Sequence, residues 1–153
     1  MPALRIRPAT PHEAPALSEL ALRSKAHWGY SEAFMRHCRE ELTVSQDEIV
    51  RGVVFVAERG AELVGFAGCD RSGPAQVELE YLFVEPRHIG TGVGRALMQR
   101  AIQQGQKLGA RSMVIQGDPH AEAFYLAAGA TRSGERASDS IPGRNLPLFE
   151  LAL

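Results

Sequence analysis

The sequence predicts a mixed α/β domain, and three observations carry that reading. Short apolar runs of strand length are interleaved with longer stretches in which apolar residues recur every three or four positions. The resulting order of elements is β-α-α-β-β-β-α-β-α-β-β, which is neither an all-β run nor a regular βα alternation. At the centre, a strand closed by Glu85-Pro86 leads through a glycine-rich loop into a helix. The expected architecture is a central twisted mixed sheet flanked by about four helices.

Each element has its own signal. Leu4 and Ile6 alternate with Arg5 and Arg7 in a first short strand over residues 3–8. Thr10 or Pro11 opens a helix whose apolar stripe is Ala14, Leu17, Leu20, Ala21 and Ser24. His27-Trp28-Gly29-Tyr30 interrupts it. Ser31 then caps a second helix to about Glu41, with Phe34, Met35 and Cys38 on its apolar side. Residues 53–58 and 63–69 form a hairpin around Arg59-Gly60, and 70–74 is a turn. In the third β run, residues 76–84, strict alternation puts Val77, Leu79, Tyr81 and Phe83 on one face and Glu78, Glu80, Leu82 and Val84 on the other. A helix spans about Gly92 to Gly109, buried through Val93, Leu97, Ala101 and Leu108. Residues 112–116 read as a buried strand. Asp118-Pro119 starts a short helix as cap and first residue, and Gly129 ends it. Two strands follow, near 130–135 and 146–153, around a loop that holds Ser138, Ser140 and Arg144.

Composition narrows the function classes. A chain of 153 residues suits one domain, residues 1–153, with its own core. Seventeen basic residues nearly cancel eighteen acidic ones, and no basic stripe suggests a nucleic-acid partner. No apolar run reaches the ~20 residues that span a bilayer, and Met1 to Pro8 lacks a signal-peptide layout. Cys38 and Cys69 form no CxxC pair, and the histidines have no ligand spacing, so no metal site is expected. A cytoplasmic protein with reduced cysteines is expected.

Gly90-Thr91-Gly92-Val93-Gly94-Arg95 lies between strand and helix. Glycines let an anion approach the backbone, and the first amides of a helix have no internal partner and sit at its positive end. That combination cradles a pyrophosphate. A P-loop is excluded because Gly94 is followed by Arg95-Ala96, and a dinucleotide fingerprint because its third glycine is missing.

Two motifs then resemble the GCN5-related N-acetyltransferase (GNAT) superfamily. Tyr81-Leu82-Phe83-Val84-Glu85-Pro86 with Ile89-Gly90-Thr91-Gly92-Val93-Gly94-Arg95-Ala96-Leu97 is similar to its acyl-CoA binding segment. Asp118-Pro119-His120-Ala121-Glu122-Ala123-Phe124-Tyr125-Leu126-Ala127-Ala128-Gly129 resembles its Asn-x-x-Ala-x-x-Phe-Tyr segment. Ile89 departs from the usual Gln or Arg, with Arg87 or His88 as alternative sources of charge.

The resemblance implies a GNAT fold and an acetyl-CoA-dependent transfer to the amine of a small-molecule or amino-acid-like acceptor. A non-catalytic acyl-CoA sensor and a peptide or protein acceptor are the alternatives. It implies main-chain contacts to the cofactor at Leu82, Phe83 and Val84, a pyrophosphate cradle from Ile89, Gly90, Thr91, Gly92, Val93, Gly94 and Arg95, and further contacts from His120 and Phe124. Tyr125 is the expected proton donor to the leaving thiolate, because a phenol can protonate a thiolate as the bond breaks. Glu80 is the expected base, with Glu78 a lesser candidate. Trp28, Tyr30, Glu78 and Arg144 are expected near the acceptor, Arg144 as a grip for a carboxylate; for Trp28, packing into the core is the favoured role. Pairing of sheet edges into a homodimer, with the last strand as the edge, is also implied.

Overall fold

The computed structural model describes residues 2–153. Among the described residues seven strands form one sheet: β1 (Leu4–Pro8), β2 (Val54–Arg59), β3 (Glu62–Gly73), β4 (Gln76–Val84), β5 (Ser112–Gln116), β6 (Thr131–Ala137) and β7 (Asn145–Ala152), in spatial order β1-β2-β3-β4-β5-β7-β6. All neighbours are antiparallel except β4 and β5. Helices α1 (Ala14–Ala26), α2 (Glu32–Cys38) and α3 (Gln46–Val50) pack on one face, around Leu17, Leu20, Cys38, Ile49 and Phe66. Helices α4 (Val93–Lys107) and α5 (Glu122–Ala127) cover the other, around Leu97, Ala101, Met113 and Phe149. Among the described residues, no helix is long and apolar enough to cross a membrane.

The first helix buries the five residues its spacing predicts. Ser31 caps α2, its hydroxyl accepting from the Phe34 amide at 3.1 Å. Helix α3 is an addition to the sequence reading. Ser45 accepts from the Glu48 amide while Glu48 Oε1 accepts from the Ser45 amide, a reciprocal cap that the Ser-x-x-Glu spacing encodes. Strand β3 runs to Gly73, through part of the stretch read as a turn. The last strand is not an edge: β7 lies between β5 and β6, so β6 and β1 bound the sheet. The edge assigned to a homodimer is therefore misplaced.

Strict alternation fails inside β4. Tyr81 stands opposite Gly68 and Leu79 opposite the next residue, Cys69, so Glu80 has no counterpart on β3. One extra residue in a strand flips every side chain beyond it. Val77 and Leu79 face the α4 side, and Leu82 and Val84 do too; Tyr81 and Phe83 face the α1 side. Four residues expected to share a face with one another are thus divided between both.

Strand β4 outruns its parallel partner. The ladder with β5 covers Gln76 to Leu79 only, after which Gly117 turns toward Pro147, its amide donating to that carbonyl at 3.1 Å. The β5 side of residues 80–84 is left without a strand. Arg23 of α1 binds Glu85 just past the end of β4, Nη2 to Oε2 at 2.8 Å and Nε to both oxygens at 3.2 and 3.3 Å, which ties the helix to the strand end.

Gly68 is required where the bulge brings Tyr81 over it, because a Cβ there would lie 2.7 Å from Tyr81 Cδ2. The ring has little room to move, with its hydroxyl donating to Glu48 Oε1 at 3.1 Å. Gly68→Ala should destabilise the fold by about 1–3 kcal/mol, read as a lower thermal midpoint; an unchanged midpoint would mean the bulge is more plastic than this contact implies.

Candidate active site

The glycine loop has the geometry of an anion cradle. Gly90 and Gly92 hold φ of +83° and +91°, which disfavour any side chain. The first helical bond of α4 runs from the Ala96 amide to the Gly92 carbonyl at 3.1 Å, so the amides of Gly92, Val93, Gly94 and Arg95 precede it without an acceptor in the helix. A Cβ on Gly94 would lie 3.1 Å from the Phe124 ring, so glycine lets α4 and α5 close together. Arg95 is exposed and has no hydrogen-bond or ion-pair partner among the described residues.

Gly90, Gly92, Gly94, Arg95 and the half-exposed Ile89 line a cavity of about 1000 Å³ that continues along residues 79–84 to Gln116, Gly117 and Tyr125. Leu82, Phe83, Val84, His120 and Phe124 line it as well. Thr91 and Val93 do not: the Thr91 hydroxyl donates to the His88 carbonyl at 2.6 Å, and Val93 is core. Arg87 and His88 are both directed at Glu62, His88 Nε2 at 3.4 Å, rather than at the cradle.

Tyr125 is buried at the point where β4 and β5 part. Its ring packs against Phe124 and Phe149, and Gly117 lies behind it, where a Cβ would come within 2.8 Å of the ring. Burial first, and then the charge of Asp118, push the phenol above its ordinary range, so it stays protonated at neutral pH. Glu80, carried on the bulge, opens onto the same cavity. Desolvation, followed by the carboxylates of Glu48, Asp70 and Glu78, raises its pKa. Glu78 is differently placed: Arg136 Nη1 donates to its two oxygens at 3.2 and 3.1 Å and to Gln116 Oε1 at 3.1 Å.

The remaining expected acceptor residues gather around Asp118. Its Oδ1 accepts from the His120 amide at 2.9 Å, the cap the sequence predicts. Its Oδ2 takes Lys25 Nζ at 3.2 Å and the Tyr30 hydroxyl at 2.8 Å. Burial alone would raise this carboxyl, but those donors and His120 hold it below its usual value. Arg144 Nη2 donates to the Tyr30 hydroxyl at 2.9 Å and lies 3.8 Å from Asp118. Neither Tyr30 nor Arg144 lines the cavity, so they brace its wall and Arg144 is not an open grip. Trp28 does line it; 39% exposed and stacked on His120 at 5.1 Å, it is not the core residue that sequence favours. Sequence reading missed Lys25, Arg136 and Gln116, which no motif marks. Among the described residues no group of His, Cys, Asp and Glu is arranged to hold a metal.

All three tyrosines of the chain are pushed above the ordinary phenol value, Tyr30 to about 12, each chiefly by burial. Folded protein at about pH 10, where half of free tyrosine is ionised, should show almost no tyrosinate absorption. Because the unfolded chain releases these protons first, stability should fall as pH rises past about 10. Tyrosinate absorption by the native protein at that pH would contradict the burial described.

Comparison with known proteins agrees with this geometry. Residues 17–130 match the Acetyltransferase (GNAT) family. An uncharacterised N-acetyltransferase of Mycobacterium tuberculosis (strain ATCC 25618 / H37Rv) is 30% identical over 89 residues, 56% of this chain and 57% of the relative, so the match spans little more than half of that protein. The PaiA N-acetyltransferase from Thermoplasma acidophilum, solved in complex with coenzyme A, superposes with a TM-score of 0.82 at 19% identity, over 99% of both chains. YncA from Salmonella typhimurium, a putative acetyltransferase solved with acetyl-CoA, gives 0.70 at 22% identity, over 98% of this chain and 94% of its own. With the family match covering most of its length, from the first helix through the glycine loop to the end of the Tyr125 helix, this chain belongs to the GNAT acetyltransferase family.

Proposed function

We propose that the protein transfers an acetyl group from acetyl-CoA to the amine of a small molecule by direct attack. The observation that carries this reading is that the amide cradle, the unpaired side of β4, Glu80 and Tyr125 all open onto one continuous cavity. The residues fit the group. Gly90, Gly92 and Gly94 leave the cradle free of side chains, and the amides of residues 92–95 offer donors to a pyrophosphate. Arg95 adds a positive charge. Leu82, Phe83 and Val84 pack partly buried side chains against the two faces of the sheet, and their backbone, without a strand on the β5 side, is open to hold an extended arm. His120 and Phe124 border that arm on the α5 side.

Bound acetyl-CoA supplies a thioester whose carbonyl carbon accepts the amine. Glu80 removes a proton from the acceptor ammonium, directly or through water, and its raised pKa suits it to that exchange nearer neutral pH. Tyr125 gives its proton to the departing sulfur and regains one from the acetylated nitrogen, which sheds its second proton as the amide forms; the elevated pKa of the phenol keeps it protonated beforehand. A β4 amide offers a donor to the thioester oxygen as charge gathers there. The chain itself forms no covalent intermediate; holding amine and thioester together supplies the remaining advantage.

Calorimetric titration with acetyl-CoA, followed by release of free thiol in the presence of amines, tests the reading. Binding and amine-dependent thiol release are expected. Binding without release from any amine would turn the assignment toward a sensor, and no binding would overturn it. Tyr125→Phe should lower kcat by about 100-fold with acetyl-CoA affinity unchanged, and an unaltered kcat would remove Tyr125 from proton transfer. Gly92→Glu, which puts a negative side chain at a left-handed position in the cradle, should abolish acetyl-CoA binding; retained affinity would place the phosphates elsewhere. The acidic limb of kcat/KM should lie above the usual glutamate range and be lost in Glu80→Gln, whereas an unshifted limb in that variant would assign the base to another group.

A further inference from the structure

We infer that Arg136 selects the acceptor by gripping a carboxylate on the same molecule as the reacting amine, so that the substrate class is an amino acid or a closely related amino-carboxylate. The inference rests on the acetyl-transfer reading and adds the chemistry of the acceptor.

Arg136 comes from the edge strand β6 and reaches the mouth of the gap between β4 and β5, where it, Glu78 and Gln116 all line the cavity. One nitrogen makes all of its contacts: Nη1 donates to both oxygens of Glu78 and to Gln116 Oε1. Nε and Nη2 have no partner among the described residues. The guanidinium is thus held on one side and free along its Nε–Nη2 edge. That edge presents two parallel N–H donors, the geometry that matches a carboxylate. Glu78 precedes Glu80 by two residues, about 7 Å along a strand, so a molecule with its amine at Glu80 needs only a short reach to set its carboxylate against Arg136.

The other cations are differently engaged. Arg144 is bound to Tyr30 beside Asp118, Lys25 is paired with Asp118, and Arg95 belongs to the glycine end of the cavity. Glu41 and Asp139 also line the cavity, and an acceptor with two positive charges would suit them better than a carboxylate would. Both are exposed, and Glu41 already accepts from Ser140 Oγ at 2.7 Å. Solvent screens such rim charges. The Arg136–Glu78 pair is the more enclosed, with side-chain exposures of 40% and 26%, and it fixes an orientation that rim charges do not.

The test compares each common amino acid with its carboxamide and with the amine left by removing its carboxylate, all by thiol release from acetyl-CoA. At least one amino acid should exceed both counterparts in kcat/KM by tenfold or more. Arg136→Gln should raise KM for that amino acid by about 10- to 100-fold, leave the KM for acetyl-CoA unchanged and leave the decarboxylated amine unaffected. Arg136→Lys should recover part of the loss. Equal or better use of the carboxamides or decarboxylated amines, or of diamines, overturns the inference, as does an unaltered KM in Arg136→Gln. If that variant fails to fold, the wild-type comparison decides alone. Failure of the underlying reading looks different, because no acetyl-CoA binds and no amine releases thiol. Direct calorimetric titration of the amino acids into wild type and Arg136→Gln then still reads the contact: weaker binding to the variant supports it, and equal binding or none overturns it.

Discussion

At Glu80 strand β4 carries one residue that β3 does not match, and most of the site follows from that local mismatch. With Tyr81 opposite Gly68 and Leu79 opposite Cys69, Glu80 is left over and the strand turns its faces about. The side chains after it change layers, and the strand swings away from β5, whose ladder ends at Leu79 and Ile115. A sheet with a complete ladder here would bury the backbone of residues 80–84 in strand-to-strand bonds. Because the ladder stops, those peptide groups face a cavity, and the bulged residue sets its carboxylate on the lining of that cavity. Glycine at 68 makes the bulge possible, and Arg23 on Glu85 fixes where the strand ends.

A second constraint closes the cavity from the side. Asp118 is one carboxylate serving the helix cap of its own segment and the donors of Lys25 and Tyr30, with Arg144 close by. Paired and hydrogen-bonded, it is an acceptable buried charge; without partners it would not be. The cluster joins the end of α1, the connection into α2 and the loop before β7 to the segment that leads into α5. Trp28, stacked on His120, spans the join. Groups far apart in the chain are therefore held in register around the space where two substrates would meet.

Much of this was legible in the sequence because it rests on local rules. Helix periodicity located the buried residues of α1, Asp118-Pro119 announced a cap, and the glycines of 90–94 marked a backbone that an anion can approach, with helix amides left open. The misreadings have a shared cause: they depend on contacts between segments. Alternation in β4 was sound up to Glu80 and wrong beyond it, because a bulge is decided by the neighbouring strand. Trp28 looked like core because large aromatics usually are, and here His120 supplies an alternative partner. Arg144 looked free because Asp118 is 26 residues away in sequence. Arg136 went unnoticed because strand order, which no local pattern reveals, carries it to Glu78. The exception is α3, whose Ser45–Glu48 box is itself a local signal.

Gly117 has a wider consequence. It contributes no functional group, yet the space its missing Cβ leaves is the space the Tyr125 ring occupies. Any other residue there would displace the phenol while leaving the charge, polarity and much of the packing of the site intact. Under selection such a position would behave as though it were chemically active, intolerant of substitution despite having nothing to donate or accept. Invariance in a set of related sequences would thus be a poor guide to which groups handle protons in this fold. A glycine that makes room for a tyrosine would be kept as strictly as the tyrosine itself.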